Sequence, residues 1–457
     1  VWFVAVLLAA TSPAPLGAPR TASAAVARGA ADLASLGPAP VDPAPLIGPA
    51  ALAPLVRDGS PEVRAAETDV DIAIAGERQS EQLGNPSLDL SWGTIPVGAT
   101  NPRDLPSPLS AIPNYGVGLS YTVPIAKRGP TQLRATAARQ ATQATRDASL
   151  RYATLAFADV LGRLASTTLR RGGLVDLAAD AGRAVELAEL RVAAQLGSPL
   201  DVSRLRIERA RSEDLLRGVD GELAALRASC APWVGRPCAG FASPEAARAF
   251  LEAWLARASH GEDASRADAL MGTIDARPDL AALTFAEDAA RADATLARRQ
   301  ALPDPTIRLG FVHDDFIVSG AQPNSVNLTV ALPLPVFDAG QAAEQAAERR
   351  RVGLAAQRER LRDAARARVP MLLDTLDAQL ARRRHITEET IPEARRVLAD
   401  VTRAVDQRLL PLSDLLQSRR ALSELLLEEA DAYLAAYLAL LGLYAERGPG
   451  AGEGGLP

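Results

Sequence analysis

Along most of the chain apolar positions recur at helical spacing, but four short stretches alternate instead. Leu88, Leu90 and Trp92 share one side, with Ser87, Asp89, Ser91 and Gly93 on the other. Tyr115, Val117, Leu119, Tyr121 and Val123 oppose Gly116, Gly118, Ser120 and Thr122. Further on, Ile307, Leu309 and Phe311 oppose Thr306, Arg308 and Gly310, and Val326, Leu328, Val330 and Leu332 oppose Ser325, Asn327, Thr329 and Ala331. A period of two predicts strands with one apolar and one polar face, at about 87–93, 115–123, 306–312 and 325–332. Residues 61–82 and 278–301 have helical spacing instead, and Pro61 suits a first helical turn. From about 130 to 196 and from about 340 to 409 the chain is almost continuously helix-forming. About 65 residues of helix extend roughly 100 Å, more than a compact soluble domain houses. Pro370 and Pro392 are expected to kink or interrupt the second rod.

The pattern is duplicated. Leu83-Gly84-Asn85-Pro86-Ser87-Leu88 returns as Leu302-Pro303-Asp304-Pro305-Thr306-Ile307, and Leu119–Ile125 returns as Leu328–Leu334. Ser60-Pro61-Glu62 matches Arg277-Pro278-Asp279, and Gly129 matches Gly340. Each half ends in a long helical stretch broken once, at Leu196–Asp201 and at Leu409–Asp414. Offsets between matched points stay between 209 and 219 residues. Five landmarks in one order define two copies of a unit that runs helix, strand, strand, long helix, break, helix. The fold class is therefore mainly α with a small β part. Its boundaries fall at 51–229 for the first repeat, 230–276 for a segment between the repeats, and 277–445 for the second. Residues 446–457 read as a disordered tail.

Two readings of the strands compete. They form either a four-stranded sheet packed on helices with its polar face in water, or part of a transmembrane barrel with lipid outside and water inside. Four strands cannot close a barrel, and an open edge cannot sit in lipid, so the second reading needs several chains.

Composition narrows the choice. The 457 residues carry a net charge of −5 and are 48% hydrophobic but only 4% aromatic. That near-balanced charge, with no basic block, argues against nucleic acid as a partner. Lys127 is the only lysine, which reads as a composition effect. Two Cys are too few for a thiolate zinc site, and His260, His313 and His385 have no ligand spacing and read as surface residues. There is no phosphate-binding loop, metal signature or nucleophile motif, so neither an enzyme nor a cofactor is indicated. Residues 1–24 read as a signal peptide: Val1–Ala10 is apolar but too short to span a bilayer, and Ala22-Ser23-Ala24 fits a cleavage site. Residues 25–50 are Ala/Pro-rich and read as extended and poorly ordered. No later run approaches 18 apolar residues, which disfavours a helical span but not a barrel.

Several motifs carry a resemblance. They are Arg277-Pro278-Asp279-Leu280, Ala301-Leu302-Pro303-Asp304-Pro305, Leu332-Pro333-Leu334-Pro335-Val336-Phe337-Asp338-Ala339-Gly340-Gln341, Gly197–Val202 and Leu412–Leu416. In this duplicated order, over about residues 50–445, they resemble the TolC family of outer-membrane efflux proteins. The Pro-Leu-Pro-Val-Phe-Asp stretch is closest to its branch serving heavy-metal and multidrug pumps of the resistance-nodulation-division (RND) type. The resemblance implies a homotrimer with a twelve-stranded outer-membrane barrel and a long periplasmic tunnel of helices. Its partners would be outer-membrane lipid, a periplasmic membrane-fusion adaptor and an inner-membrane pump. Asp89, Ser91, Ser120, Thr122, Thr306, Arg308, Asn327 and Thr329 would then face the lumen. Trp92, Tyr115, Tyr121 and Phe311 would join an aromatic girdle or make ordinary lipid or core contacts.

The resemblance also assigns roles to the breaks. Gly197, Ser198, Pro199 and Leu200, with Leu410, Pro411 and Leu412, would form adaptor-contacting tips; simple turns between helices are the alternative. Gly197 would supply a positive φ, and Pro199 or Pro411 would start the returning helix. Asp414 and Gln417 match a periplasmic constriction, where three aspartates would favour cations; a helix N-terminal role for Asp414 is the plainer reading. Cys230 and Cys238 lie in an irregular equatorial segment of the family and are a candidate disulfide in an oxidising compartment. The function implied is a passive exit duct for small molecules or metal ions. The alternatives are a duct for a type I protein secretion system and, in a different class, a periplasmic helical adaptor or structural coiled coil.

Overall fold

A computed structural model describes residues 39–92, 114–257, 263–314, 322–407 and 409–448. The signal-peptide reading, the two strand-connecting loops, His260 and most of the C-terminal tail therefore lie outside the described residues. Residues 1–40 form a unit of their own, of which only Ala39 and Pro40 are described; Val41–Pro457 is the second unit.

The first repeat opens with α1 (Pro49–Gly59) and α2 (Pro61–Glu81). The Ser60 hydroxyl accepts from the Val63 N–H at 3.5 Å and Pro61 fills the first turn, so sequence alone starts α2. Strands β1 (Ser87–Trp92) and β2 (Asn114–Thr122) follow, then α3 (Arg128–Ala193) and α4 (Pro199–Ala228). At 66 residues, α3 is roughly 100 Å long. The second repeat has α8 (Pro278–Arg298), β3 (Thr306–Asp314), β4 (Asn324–Ala331), α9 (Gln341–Arg384), α10 (Ile391–Asp406) and α11 (Leu412–Glu446). Between the repeats lie α5 (Ala231–Val234), α6 (Pro244–Ala256) and α7 (Asp263–Thr273). Gly340 opens α9 at φ 84°, and a Cβ there would lie 2.2 Å from the Ala297 carbonyl oxygen, so only glycine lets α9 start against α8.

Three expectations are corrected. Pro370 does not interrupt its helix: α9 runs through it, with Pro370 on an exposed side where water can serve the carbonyl that loses its donor. The interruption comes at His385–Thr390, a π-helical turn just before Pro392. That wider turn lets Ile386 and Ile391, five residues apart, both bury against Ala432 of α11.

Secondly, the inter-repeat segment is not irregular. The Ser243 hydroxyl caps α6 through the Ala246 N–H at 3.2 Å, and Ala247, Phe250, Leu251, Trp254 and Leu255 bury one face of that helix. These side chains join Phe157, Leu161 and Leu164 of α3, Leu373 and Leu376 of α9, and Tyr433, Tyr437 and Leu440 of α11 in the main core. The core therefore sits among the helices and not at the sheet.

Thirdly, the described end of the 25–50 segment is held firmly. Val41 donates to Pro237 O at 3.0 Å and accepts from Ala239 N at 2.7 Å, pairing with the loop closed by the Cys230–Cys238 disulfide. Trp254 Nε1 donates to Leu46 O at 3.1 Å. Isolated apolar residues among prolines carry no periodic signal, so these contacts exist only in three dimensions.

The sheet has the order β1-β2-β3-β4, antiparallel throughout. Its middle seam joins the two repeats, with Ser120 opposite Arg308 and Thr122 opposite Thr306. Strands β1 and β4 are the two edges.

Candidate functional site: the two-faced sheet and the helix tips

Directly opposed residues in a sheet share a face, so the registers sort every side chain. Ser87 pairs with Ser120, Asp89 with Gly118, Gly118 with Gly310 and Gly310 with Asn327. All eight residues assigned to a lumen thus lie on one face. Its polar groups bond to one another: Ser87 and Ser120 hydroxyls at 3.0 Å, Thr122 and Thr306 hydroxyls at 2.8 Å, and Arg308 with Asp89 at 3.5 Å. Gly310 makes room for one neighbour, since a Cβ there would lie 2.6 Å from Asn327 Oδ1.

The opposite face is apolar and uncovered. Leu90 is 75% exposed, Val326 74% and Leu328 69%, and nine further large apolar residues on the strands are exposed with them. Burying a Val, Leu, Ile or Phe side chain contributes about 1.5–3 kcal/mol, so this face forgoes on the order of 10–20 kcal/mol in water. A sheet packed on helices through this face would not leave it open, so the expectation of helices covering the apolar face is not met. Near one end of this face Tyr115 stacks on His313 at 4.9 Å and meets Trp92 at 6.3 Å. His313, a member of β3, also bonds Asn324 at 2.8 Å through Nδ1.

Where β2 passes into α3, Asp304 of the other repeat accepts from Ile125 N and from Lys127 Nζ, each at 2.8 Å. Partial burial pushes the Asp304 carboxyl up, but Lys127 and the amide outweigh it and hold it below its ordinary value. The only lysine thus ties the two repeats together at the base of the sheet. Its uniqueness in the sequence was a signal that composition alone explained away.

The first break is built differently from the expectation. Gln195 takes the positive φ, at 59°, and Gly197 does not. The Leu196 N–H donates to Arg191 O at 2.8 Å, closing α3, and the Ser198 hydroxyl accepts from the Leu200 N–H at 3.2 Å, with Pro199 opening α4. At the second break Leu409 N donates to Ala404 O at 2.9 Å, and Pro411 sits just ahead of α11 in extended backbone. The breaks are neighbours, since Arg191 reaches Val405 O at 3.4 Å and Asp406 at 3.7 Å. Leu196, Leu200, Leu409 and Leu410 are exposed there.

Asp414 lies in the first turn of α11, accepting from the Ser413 hydroxyl at 3.3 Å. With Gln417 it lines an open groove against His385, Glu389 and Glu393 beside the π turn. Sequence reasoning missed the cations behind it. Arg419 donates to Asp180 O and Arg420 pairs with Glu208, tying α11 to α3 and α4. Burial draws the Arg419 guanidinium below its ordinary value. Among the described residues no group of three or more His, Cys, Asp or Glu could hold a metal ion, and no helix is long and apolar enough to cross a membrane.

Residues 272–448 match the family described as outer membrane efflux protein. The matched span is the second repeat with the end of the segment before it. The first repeat lies outside the matched span but carries the same element order, and the fold of the whole is shared with solved channels. VceC, an outer membrane protein of Vibrio cholerae, is 20% identical, with 87% of this chain and 95% of that chain covered and a TM-score of 0.67. CusC, solved in a study of transmembrane channel formation, is 16% identical with a TM-score of 0.69, covering 87% and 91%. The open-state MtrE outer membrane channel of Neisseria gonorrhoeae is 15% identical with a TM-score of 0.64, covering 87% and 88%. Among curated proteins none matches the sequence. The family match covers less than half of the chain, and the likeness to the solved channels shows a shared fold.

Proposed function

We propose that three copies of this chain form a passive exit duct for small molecules or metal ions, set in the outer membrane and extending into the periplasm. The observation that carries the reading is the sheet: one face hydrogen-bonded and polar, the other apolar and open, with an unclosed edge on each side. Lipid on the apolar face recovers the burial it lacks in water, and water on the polar face solvates Asp89, Arg308 and the hydroxyls. β2 and β3, at nine residues each, have the length a tilted membrane strand requires. Twelve strands from three chains close the edges that lipid forbids. The rods of α3 and of α9 with α10 then continue the duct away from the membrane.

The exposed leucines at the breaks are the surface for a periplasmic membrane-fusion adaptor, through which an RND-type inner-membrane pump supplies the cargo. Three copies of Asp414, with Gln417 one turn on, form the narrowest ring, and its negative field favours cations. Planar-bilayer recordings of the purified chain test both parts. Wild type is expected to form cation-preferring pores, and Asp414→Ala to leak more and prefer cations less. Absence of pores sinks the duct; unchanged conductance and selectivity in Asp414→Ala sinks the ring alone.

A further inference from the structure

We propose that the cleft between α3, α4 and α11 binds a small anionic amphiphile, with its carboxylate held by Arg419 and Arg211 and its apolar chain laid along leucines of the three helices. All three walls belong to one chain, so the site does not depend on how many copies assemble. It is also separate from the Asp414 groove. Asp414, Gln417 and Ser418 turn toward the π turn, while Leu416, Arg419, Arg420 and Ser423 line the opposite side of α11.

The charges of the cleft do not balance. Arg211, Arg419 and Arg420 line it with Glu208 and Glu424, three guanidiniums against two carboxylates. Glu208 is taken by Arg420. Among the described residues, neither Arg211 nor Arg419 has a carboxylate partner. Arg419 gives one N–H to the Asp180 carbonyl, and its Nε is shut away from water without an acceptor. A cation drawn out of water without a counter-ion is costly, and a buried donor without an acceptor is rare. An incoming carboxylate supplies the missing charge, and the planar fork of an arginine matches its two oxygens.

The rest of the lining is apolar. Leu177 of α3, Leu205 and Leu215 of α4, and Leu416 and Leu427 of α11 bound a volume of about 400 Å³. Small-molecule sites hold about 300–1,000 Å³ and combine such walls with a few placed polar groups. Leu215, 48% exposed, stands at the rim. A neutral alcohol of the same length would cover the leucines and leave the guanidiniums unpaired; an amine would be repelled by them. The position of the cleft also selects the source of the ligand. From Arg128 to Leu177, α3 runs roughly 70 Å, so a lipid held in a bilayer around the sheet does not reach the cleft. The ligand is a free molecule in water.

Radiolabelled decanoate, added at neutral pH to the full chain in a neutral maltoside detergent with protein-free micelles subtracted, tests the site. Binding is expected to saturate at about one molecule per chain, and decanol and decylamine are expected not to displace it. Arg419→Gln is expected to weaken binding at least about tenfold, the loss of a charge-assisted hydrogen bond, and Arg211→Gln to weaken it as well. Arg209→Gln, which removes an exposed cation paired with Glu213 outside the cleft, is expected to change nothing. Leu215→Glu places a carboxylate at the rim without disturbing buried packing, and is expected to weaken binding by a similar factor. Helical circular dichroism checks each variant. Uptake that never saturates, displacement by decanol as readily as by unlabelled decanoate, or unchanged affinity in a folded Arg419→Gln overturns the site. If Arg419→Gln does not fold, Leu215→Glu decides: unchanged affinity there overturns the site, and weakened affinity upholds it.

Discussion

Gly162 and Gly218 are both helical glycines, and replacing each by alanine is expected to move stability in opposite directions. Helices α3 and α11 cross so closely at Gly162 that a Cβ there would lie 2.2 Å from Cε1 and 2.4 Å from Cδ1 of Tyr437. Carbon atoms rest at about 3.5–4.0 Å, so the ring must retreat by more than an ångström. It has nowhere to go. Tyr437 is fully buried, donates from its hydroxyl to Ala158 O at 2.8 Å, and packs edge-on against Trp254 at 5.3 Å. Overpacking costs about 1–3 kcal/mol and a broken buried hydrogen bond about 0.5–1.5 kcal/mol. Against this, alanine gains about 1 kcal/mol over glycine in a helix. The balance for Gly162→Ala is a loss of about 1–3 kcal/mol. Gly218 lies on an exposed side of α4 with nothing within 4 Å of its would-be Cβ, so Gly218→Ala keeps the gain of up to about 1 kcal/mol. Thermal and denaturant unfolding in detergent, followed by helical circular dichroism, reads both. If Gly162→Ala melts at or above wild type, the packing argument is wrong.

Replacing both Cys230 and Cys238 by Ser opens a loop with a sequence separation of 8 and is expected to cost about 2.5 kcal/mol by loop-closure entropy; reductant should shift the melting of wild type but not of the double variant. Asp279 accepts from Arg277 at 3.1 and 2.8 Å. Burial raises its pKa, yet Arg277 outweighs burial and holds it below the ordinary value. A lowered folded-state pKa stabilises the fold above the unfolded carboxylate value of about 3.9, a contribution lost as pH falls through the folded one. Asp279→Asn should therefore flatten the acid limb of the stability–pH curve below about pH 4, and an unaltered limb would assign the effect elsewhere. Ser198→Ala removes the cap of α4 at a cost of about 0.5–2 kcal/mol, visible as faster hydrogen exchange at the Leu200 amide; unchanged exchange there would mean that Pro199 alone starts the helix.

Much of the fold was legible because local rules and tertiary structure agree. The period-two stretches became β1 to β4, and the duplication became two copies of one element order. Ser60-Pro61 and Ser198-Pro199 mark helix starts by chemistry that acts within three residues. What stayed hidden depends on contacts far apart in sequence. The Lys127–Asp304 bridge spans the repeats, and the hold on Val41 needs the disulfide loop nearly two hundred residues on. The helix α6 was not read from the sequence, and its role shows only where Trp254 meets Tyr437. The positive φ at Gln195 in place of Gly197 shows the same limit at short range: the closing turn does not fall where glycine stands.

The sequence by itself determined the two-faced strands, the long rods and their duplication, because side-chain periodicity and caps act over a few residues. It left open whether the apolar face is covered, which residues share each rung, and where the core lies. The tertiary structure decided these, because register and burial are set by which distant segments meet. It showed an apolar face left open and a core held among the helices by the segment between the repeats.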